Sequence, residues 1–292
     1  MKILITGKTG YIATAFYDYV KKLQQETQEC QPTCKLLSVR DESWRRENFA
    51  EYDVILHTAA LVHRRETAQN SEEYYKVNRD LTYELAKQAK LSGVRHFVFL
   101  STISVYGLTT GIINKKTPLS PKTHYGKSKL AAENLLLGLA DETFKVAILR
   151  PPMVYGENCP GNYAKLRQLV KIMPFFPDYP NQRSVVHIST LCEFIHKTMQ
   201  KSGVFFPQDR QPLSTRQMAE QILVDKILST NQKFDPNEKL SDWQTVETIL
   251  AEQKIPLKRR LYRVRVFNPV IRLLLPISVV GKIFGSLVVE WD

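Results

Sequence analysis

Tyr125 and Lys129 lie four residues apart in Tyr125-Gly126-Lys127-Ser128-Lys129. On a helix that spacing sets both side chains on one face, one turn apart. A tyrosine hydroxyl, with an ordinary pKa near ~10, is a poor base at neutral pH. A nearby ammonium favours the phenolate and lowers that pKa, so the pair can move a proton to or from an alcohol oxygen. The same five residues also fit a solvated basic helix face, and the neighbouring sequence has to decide between the two. Upstream, Phe99-Leu100-Ser101-Thr102-Ile103-Ser104-Val105-Tyr106-Gly107 is an apolar run that passes into hydroxyl residues. Read as a buried strand, it places those hydroxyls at its carboxyl end, where open α/β sheets bind ligands. A hydroxyl there can hydrogen-bond both a substrate oxygen and the tyrosine.

A third segment could handle phosphate. Thr6-Gly7-Lys8-Thr9-Gly10-Tyr11-Ile12-Ala13 joins a strand-like run to a helix-like one. Gly7 lets the chain turn sharply, Gly10 lets backbone approach a pyrophosphate, and Ala13 stands where a small residue allows close helix–strand packing. The helix N-terminus presents its N–H groups to the anion. No Gly-Lys-Ser/Thr follows at the spacing of a nucleoside-triphosphate loop.

These segments need a scaffold, and the first half of the chain supplies one. Strand-like runs at residues 2–6, 35–39, 53–57, 96–100 and 145–149 alternate with helix-like segments at 11–29, 78–92 and 125–139. That alternation predicts an α/β fold, a doubly wound parallel sheet of Rossmann type. After Arg150-Pro151-Pro152 proline becomes frequent and the elements shorten. A dinucleotide-binding domain over residues 1–150 is therefore expected, with a smaller C-terminal substrate-binding region over 151–292. Within the latter, residues 226–256 read as an irregular insertion and 258–289 as a basic, then apolar, tail. Arg272, Pro276, Gly281 and Lys282 interrupt the apolar part, which argues against a spanning helix. The tail leaves two readings open: helices packed in the substrate domain, or peripheral membrane contact.

Lys and Arg number 41 against 29 Asp and Glu, a formal charge of +12, which favours anionic partners without choosing among them. Aromatic residues are not interleaved with basic ones as in an RNA-binding surface, so no nucleic-acid partner is expected. Cys30 and Cys34 form C-x3-C with no second pair, and the six histidines lack ligand spacing, so no metal site is expected. Met1-Lys2 runs straight into Ile3-Leu4-Ile5 without a secretory signature, and a cytoplasmic location is expected.

Together these motifs resemble the extended short-chain dehydrogenase/reductase family, in its nucleotide-sugar epimerase/dehydratase branch, and most closely the UDP-glucose 4-epimerase type. Also matching are His57-Thr58-Ala59-Ala60, Val77-Asn78 and Leu149-Arg150-Pro151-Pro152-Met153-Val154-Tyr155-Gly156. The resemblance runs from Met1 to about Val204. It implies an enzyme using NAD or NADP, with Tyr125 as acid/base and Lys129 on the nicotinamide ribose. The family's catalytic hydroxyl, three residues before Val-Tyr-Gly, falls on Thr102 rather than Ser101. It implies Gly7, Lys8, Thr9, Gly10, Tyr11, Ile12, Ala59 and Ala60 at the dinucleotide, Pro152 and Val154 at the nicotinamide, and Asn78 as a brace. Ser104, Asn162 and Arg183 would join Thr102 and Tyr125 at the substrate, and a homodimer through a bundle containing the Tyr125 helix is expected.

The chain departs from that pattern in three places. Ile103 and Ser104 stand where family dehydratases carry acids, so dehydration is not expected, and 4-epimerisation or 4-keto reduction of a nucleotide-sugar, a UDP-sugar foremost, is. Only one strand, 35–39, fits between the first helix and Asp53, where the family has two. The acidic residue that grips the adenine ribose then has no clear place; Asp41 could serve near adenine, and Arg40 could meet a 2′-phosphate and favour NADP. Surface-polysaccharide precursor synthesis is the expected setting. The alternatives are a lipid-linked sugar diphosphate as substrate, and a non-catalytic NADP-sensing or nucleic-acid-binding relative.

Overall fold

The computed structural model describes residues 1–26, 32–62, 64–172, 181–230 and 286–290. The chain begins β1 (Lys2–Thr6), α1 (Tyr11–Glu26), β2 (Thr33–Leu37) and β3 (Val54–His57). Next come α2 (Ser71–Tyr75), a π-helical turn (Lys76–Asp80), α3 (Leu81–Leu91), β4 (His96–Leu100) and β5 (Gly111–Ile113). They are followed by α4 (His124–Leu139), β6 (Lys145–Leu149), β7 (Met153–Tyr155), α5 (Asn162–Ile172) and β8 (Val185–His187). The last described elements are α6 (Ile188–Thr198), β9 (Gly203–Phe205), α7 (Thr215–Thr230) and β10 (Leu287–Val289).

Six parallel strands form the main sheet in the order β2-β1-β3-β4-β6-β9. The interiors of β1, β3, β4 and β6 are almost wholly apolar and buried, the composition of strands covered on both faces. Phe97, Phe99, Val146 and Ile148 pack with Leu85, Ala89, Ala132 and Leu136 from α3 and α4. Burying each large apolar side chain contributes roughly 1.5–3 kcal/mol, so α4 is fixed to the sheet along its length. Strand order reverses between β1 and β3, making that crevice the switch point at which such sheets bind ligands.

The chain divides into two compact units. The first holds Met1–Gly107, Lys116–Pro152 and Ile188–Gln208; the second holds Leu108–Lys115, Met153–His187 and Asp209–Asp292. Thus the first unit ends its main run at Pro152, but α6 and β9 return to it. In the second unit β7 pairs with β8, and β5 with β10, both parallel.

Several predicted boundaries move. The second strand runs Thr33–Leu37, not 35–39, because it pairs Lys2 with Thr33 through Thr6 with Leu37. Its last carbonyl then turns to accept the N–H groups of Gly7 and Lys8 at 3.0 and 3.2 Å. The helical segment expected from residue 78 begins at Ser71, since the π-helical turn carries helix through Asn78 without a break. α1 is described to Glu26, and the expected continuation to 29 lies outside the described residues, as do residues 231–256 of the insertion and 258–285 of the tail. The described part of the tail is a strand, β10, rather than a helix. Among the described residues no helix is long and apolar enough to cross a membrane.

Candidate active site

α4 carries both residues of the proposed proton-transfer pair, and its first turn is held from three sides. Thr123 caps it by accepting the Gly126 N–H at 3.0 Å. The Glu66 carboxylate, from the loop after β3, accepts the N–H of His124 at 2.8 Å and of Tyr125 at 3.1 Å. A carboxylate suits the positive end of the helix. Ser128 donates to the Tyr125 carbonyl at 2.9 Å. Gly126 has no Cβ because one would sit 2.7 Å from the Ser104 carbonyl oxygen. That close approach brings the short 3-10 turn Ile103–Tyr106 against the helix.

Thr102 caps the same 3-10 turn, accepting the Ser104 N–H at 3.1 Å, and donates to the Ser104 hydroxyl at 3.1 Å. Its neighbour Ser101 faces the other way and donates to the buried carboxylate of Glu133. The half-buried Tyr125 has its pKa pushed up to about 12, chiefly by burial, with the Thr102 hydroxyl acting in the opposite direction. Lys129 is buried beneath it, donating to the Leu100 carbonyl at 2.8 Å and lying 4.5 Å from the Phe99 ring centroid. Burial pulls its pKa down to about 7, while the charge of Glu133, one turn further along α4, works against that fall.

Glu133 belongs to a buried network. Arg150 grips both its oxygens, at 3.1 and 2.6 Å, and donates to the Tyr106 hydroxyl at 2.8 Å. The Arg150 guanidinium also faces the rings of Tyr106 and Phe206. A buried ion pair with every oxygen engaged fixes geometry more than it adds stability.

The glycine loop lies at the switch point. Gly7 has φ +97°, and a Cβ on it would lie 2.9 Å from Thr58 Oγ1 and 3.0 Å from the Ala59 nitrogen. Only glycine leaves backbone bare here. Gly10 N–H closes the turn on the Gly7 carbonyl at 2.7 Å, and buried Ala13 packs α1 on the sheet. No acidic residue occupies the first turn of α1, so the helix start suits a pyrophosphate. Lys8 and Thr9 are exposed, Tyr11, Ile12, Ala59 and Ala60 half-buried, and Pro152 buried. Arg40 donates to Thr9 Oγ1 at 2.9 Å across the loop mouth. Asp41 has a local role. It caps the 3-10 turn Glu42–Arg46, accepting from the N–H and hydroxyl of Ser43, and those bonds lower its pKa. These residues fit a dinucleotide.

In the second unit Val154 lies on β7 and Asn162 opens α5. Arg183 bridges Leu213 and Leu287 through backbone, and burial lowers the pKa of its side chain. His124, beside Tyr125, engages Ser71 through Nδ1 at 3.1 Å. No cluster of His, Cys, Asp or Glu among the described residues could hold a metal ion.

Sequence reading missed Glu66, Glu133 and Arg150 as parts of the site. The i, i+4 spacing from Lys129 to Glu133 was available as a signal; Glu66 had none, being placed by the fold of its loop.

Fold and side-chain arrangement together are those of a nicotinamide-dependent short-chain dehydrogenase/reductase. The sequence model of the NAD dependent epimerase/dehydratase family matches residues 3–204, and the chain belongs to that family. It is 31% identical over 245 residues to a UDP-glucose 4-epimerase of Vibrio cholerae, covering 76% of this chain and 75% of the relative. It is 28% identical over 247 residues to the N-acetyl-α-D-glucosaminyl-diphospho-ditrans,octacis-undecaprenol 4-epimerase of Escherichia coli O157:H7, covering 78% and 74%. Among solved structures, MoeE5 in complex with UDP-glucose and NAD superposes with a TM-score of 0.63 at 19% identity, covering 100% of this chain and 89% of that one.

Proposed function

We propose that this protein is an NAD(P)-dependent 4-epimerase of a nucleotide-sugar, with Tyr125 as acid/base, Lys129 as its partner and Thr102 as the substrate-facing hydroxyl. The observation that carries the reading is the half-buried Tyr125 one turn along α4 from a buried Lys129 that is fixed to the Leu100 carbonyl, with Thr102 two residues beyond that carbonyl. Bound dinucleotide supplies the hydride acceptor. Tyr125 takes the proton of the sugar hydroxyl and returns it, while Thr102 holds that oxygen in line. A phenol held near 12 is not yet a base; the ammonium of Lys129 and the positive ring of an oxidised nicotinamide are the charges that would lower it. Gly7, Lys8, Thr9, Gly10, Tyr11, Ile12, Ala59, Ala60, Pro152 and Val154 are assigned to the dinucleotide, and Ser104, Asn162 and Arg183 to the sugar nucleotide. A buried guanidinium suits a diphosphate through paired hydrogen bonds.

Incubation of the purified protein with UDP-hexoses and no added cofactor tests this. Interconversion at C4 is expected. No interconversion, together with NADPH consumption on a 4-keto sugar, would make the protein a reductase instead.

A second reading, a lipid-linked sugar diphosphate as substrate, rests on the Escherichia coli relative and on the basic sequence Lys258-Arg259-Arg260. Turnover of the polyprenyl diphosphate sugar but not of UDP-sugars would establish it. We further infer a homodimer: Leu91 on α3 and Leu135 and Leu137 on α4 are large apolar side chains left exposed, and light scattering at twice the 33.7 kDa chain mass is expected.

A further inference from the structure

Five buried polar side chains connect the strand that enters the glycine loop with the helix that carries Tyr125. Thr6, His57, Asn78, Thr82 and Ser128 are each fully excluded from solvent, where an unpaired polar group costs about 1–3 kcal/mol. Their hydrogens can therefore be placed by elimination. The Thr82 hydroxyl donates its single proton to the Asn78 carbonyl at 2.9 Å. Toward His57 Nε2, also 2.9 Å away, Thr82 can then only accept, so Nε2 carries the hydrogen. His57 Nδ1 is left bare and accepts the Thr6 hydroxyl at 2.6 Å. Beyond Thr82, the Asn78 amide donates to Ser128 Oγ at 3.0 Å, and Ser128 donates to the Tyr125 carbonyl at 2.9 Å.

Every bond points from Thr6 toward Tyr125, in two runs that meet at Asn78: one ends on its main-chain carbonyl and the other leaves from its side-chain amide, and within each run aligned bonds polarise one another. Asn78 sits in the π-helical turn, where Leu81 N–H reaches back to Lys76; such turns recur at functional sites. The same amide clamps Leu61 through both backbone groups, at 2.7 and 3.1 Å, fixing the loop that follows β3. The His57 ring stacks on Phe99, with centroids 6.0 Å apart, and the Lys129 ammonium lies 4.5 Å from the centroid of that phenyl ring. A second cation there would be repelled, which also keeps His57 neutral.

We propose that Thr6, His57, Thr82, Asn78 and Ser128 form a one-way hydrogen-bonded tie, with His57 as its neutral Nε2–H tautomer, that holds the Tyr125 backbone in register with the dinucleotide loop. These are positioning residues, and their kinetic role rests on the reading of Tyr125 as acid/base. The tie explains why a histidine stands in the middle of a sheet with no ligand to bind. Its two ring nitrogens span the gap between a hydroxyl that donates and one that must accept.

Two measurements test it. Nitrogen-15 NMR of the full chain labelled at histidine should show His57 as the Nε2–H tautomer at neutral pH. The Nδ1–H tautomer would overturn the order of bonds whether or not the protein is an epimerase. Thr82→Val keeps the shape but removes the donor, and its kcat should fall roughly ten- to a hundredfold. Dinucleotide affinity should stay within about twofold in that variant, and Thr82→Ser should restore kcat. Wild-type kcat per folded molecule in Thr82→Val would refute the tie. Should Thr82→Val fail to fold, Ser128→Ala cuts the last link at a small residue, with the same expected split between kcat and dinucleotide affinity. Full turnover by Tyr125→Phe would defeat the catalytic reading while leaving the tautomer result standing.

Discussion

The glycine loop and helix α4 reach comparable order by opposite means. Residues 6–13 are shaped by backbone: a φ of +97° at Gly7, a Gly10-to-Gly7 turn and a helix start. The parts that matter there are absent side chains. α4 is shaped by side chains drawn from across the sequence: Glu66 holds its first turn, Asn78 holds Ser128, and Ser101 and Arg150 both hold Glu133. A loop that binds a phosphate needs bare N–H groups and room. A helix that must place one phenol within a fraction of an ångström of its target needs a rigid surround. The lesson is that damage to the loop should appear in binding, and damage around the helix in turnover or stability.

The sharpest break of that contrast comes from Tyr125→Phe. It should lower kcat by about 10²–10⁴-fold and leave dinucleotide affinity, read by calorimetry, unchanged. Glu133→Ala strands Arg150 in the interior and should cost about 3–5 kcal/mol in urea unfolding, with Glu133→Gln costing less. Should Glu133→Ala instead leave stability intact, the buried ion pair is not what anchors α4. Gly7→Ala forces a Cβ against Thr58 and Ala59 at a left-handed backbone position, and should weaken dinucleotide binding roughly tenfold or more with little change in kcat at saturation.

A smaller effect concerns pH. Burial, with the charge of Lys129 second, holds His57 at about 3, below its ordinary 6.5. Between those values the unfolded chain binds a proton that the folded chain refuses, so stability falls as pH drops through the window. That group contributes a slope of about 1.4 kcal/mol per pH unit. His57→Gln should unfold with a flatter acid limb by one proton, and an unchanged limb would show that His57 does not carry the charge penalty. The least effect is expected at the loop mouth: Arg40→Ala should lower NADP affinity about tenfold and NAD affinity hardly at all.

Legibility divides along the same line as the two regions. The parallel sheet, the glycine loop and the Y-x-x-x-K spacing could all be read, because each imposes a local requirement on residue type or period. Thr102 rather than Ser101 was indicated by family spacing, and the structure adds that Ser101 is turned toward Glu133. Element edges were less legible: β2 begins two residues early because pairing with β1 sets its register. Glu66 gave no signal, since nothing in residues 61–70 announces that one carboxylate will meet a helix 58 residues away.

The class of fold could be read from the chain alone, together with the glycine loop and the four-residue spacing of Tyr125 and Lys129. These follow from glycine's freedom, from apolar period and from the 3.6-residue turn. Packing decided that Lys129 lies buried with its pKa lowered to about 7, that Asp41, expected near adenine, caps the 3-10 turn after it, and that the His57 ring is bonded between Thr6 and Thr82. Burial and hydrogen-bond partners are properties of packing, and packing joins residues that the sequence keeps far apart.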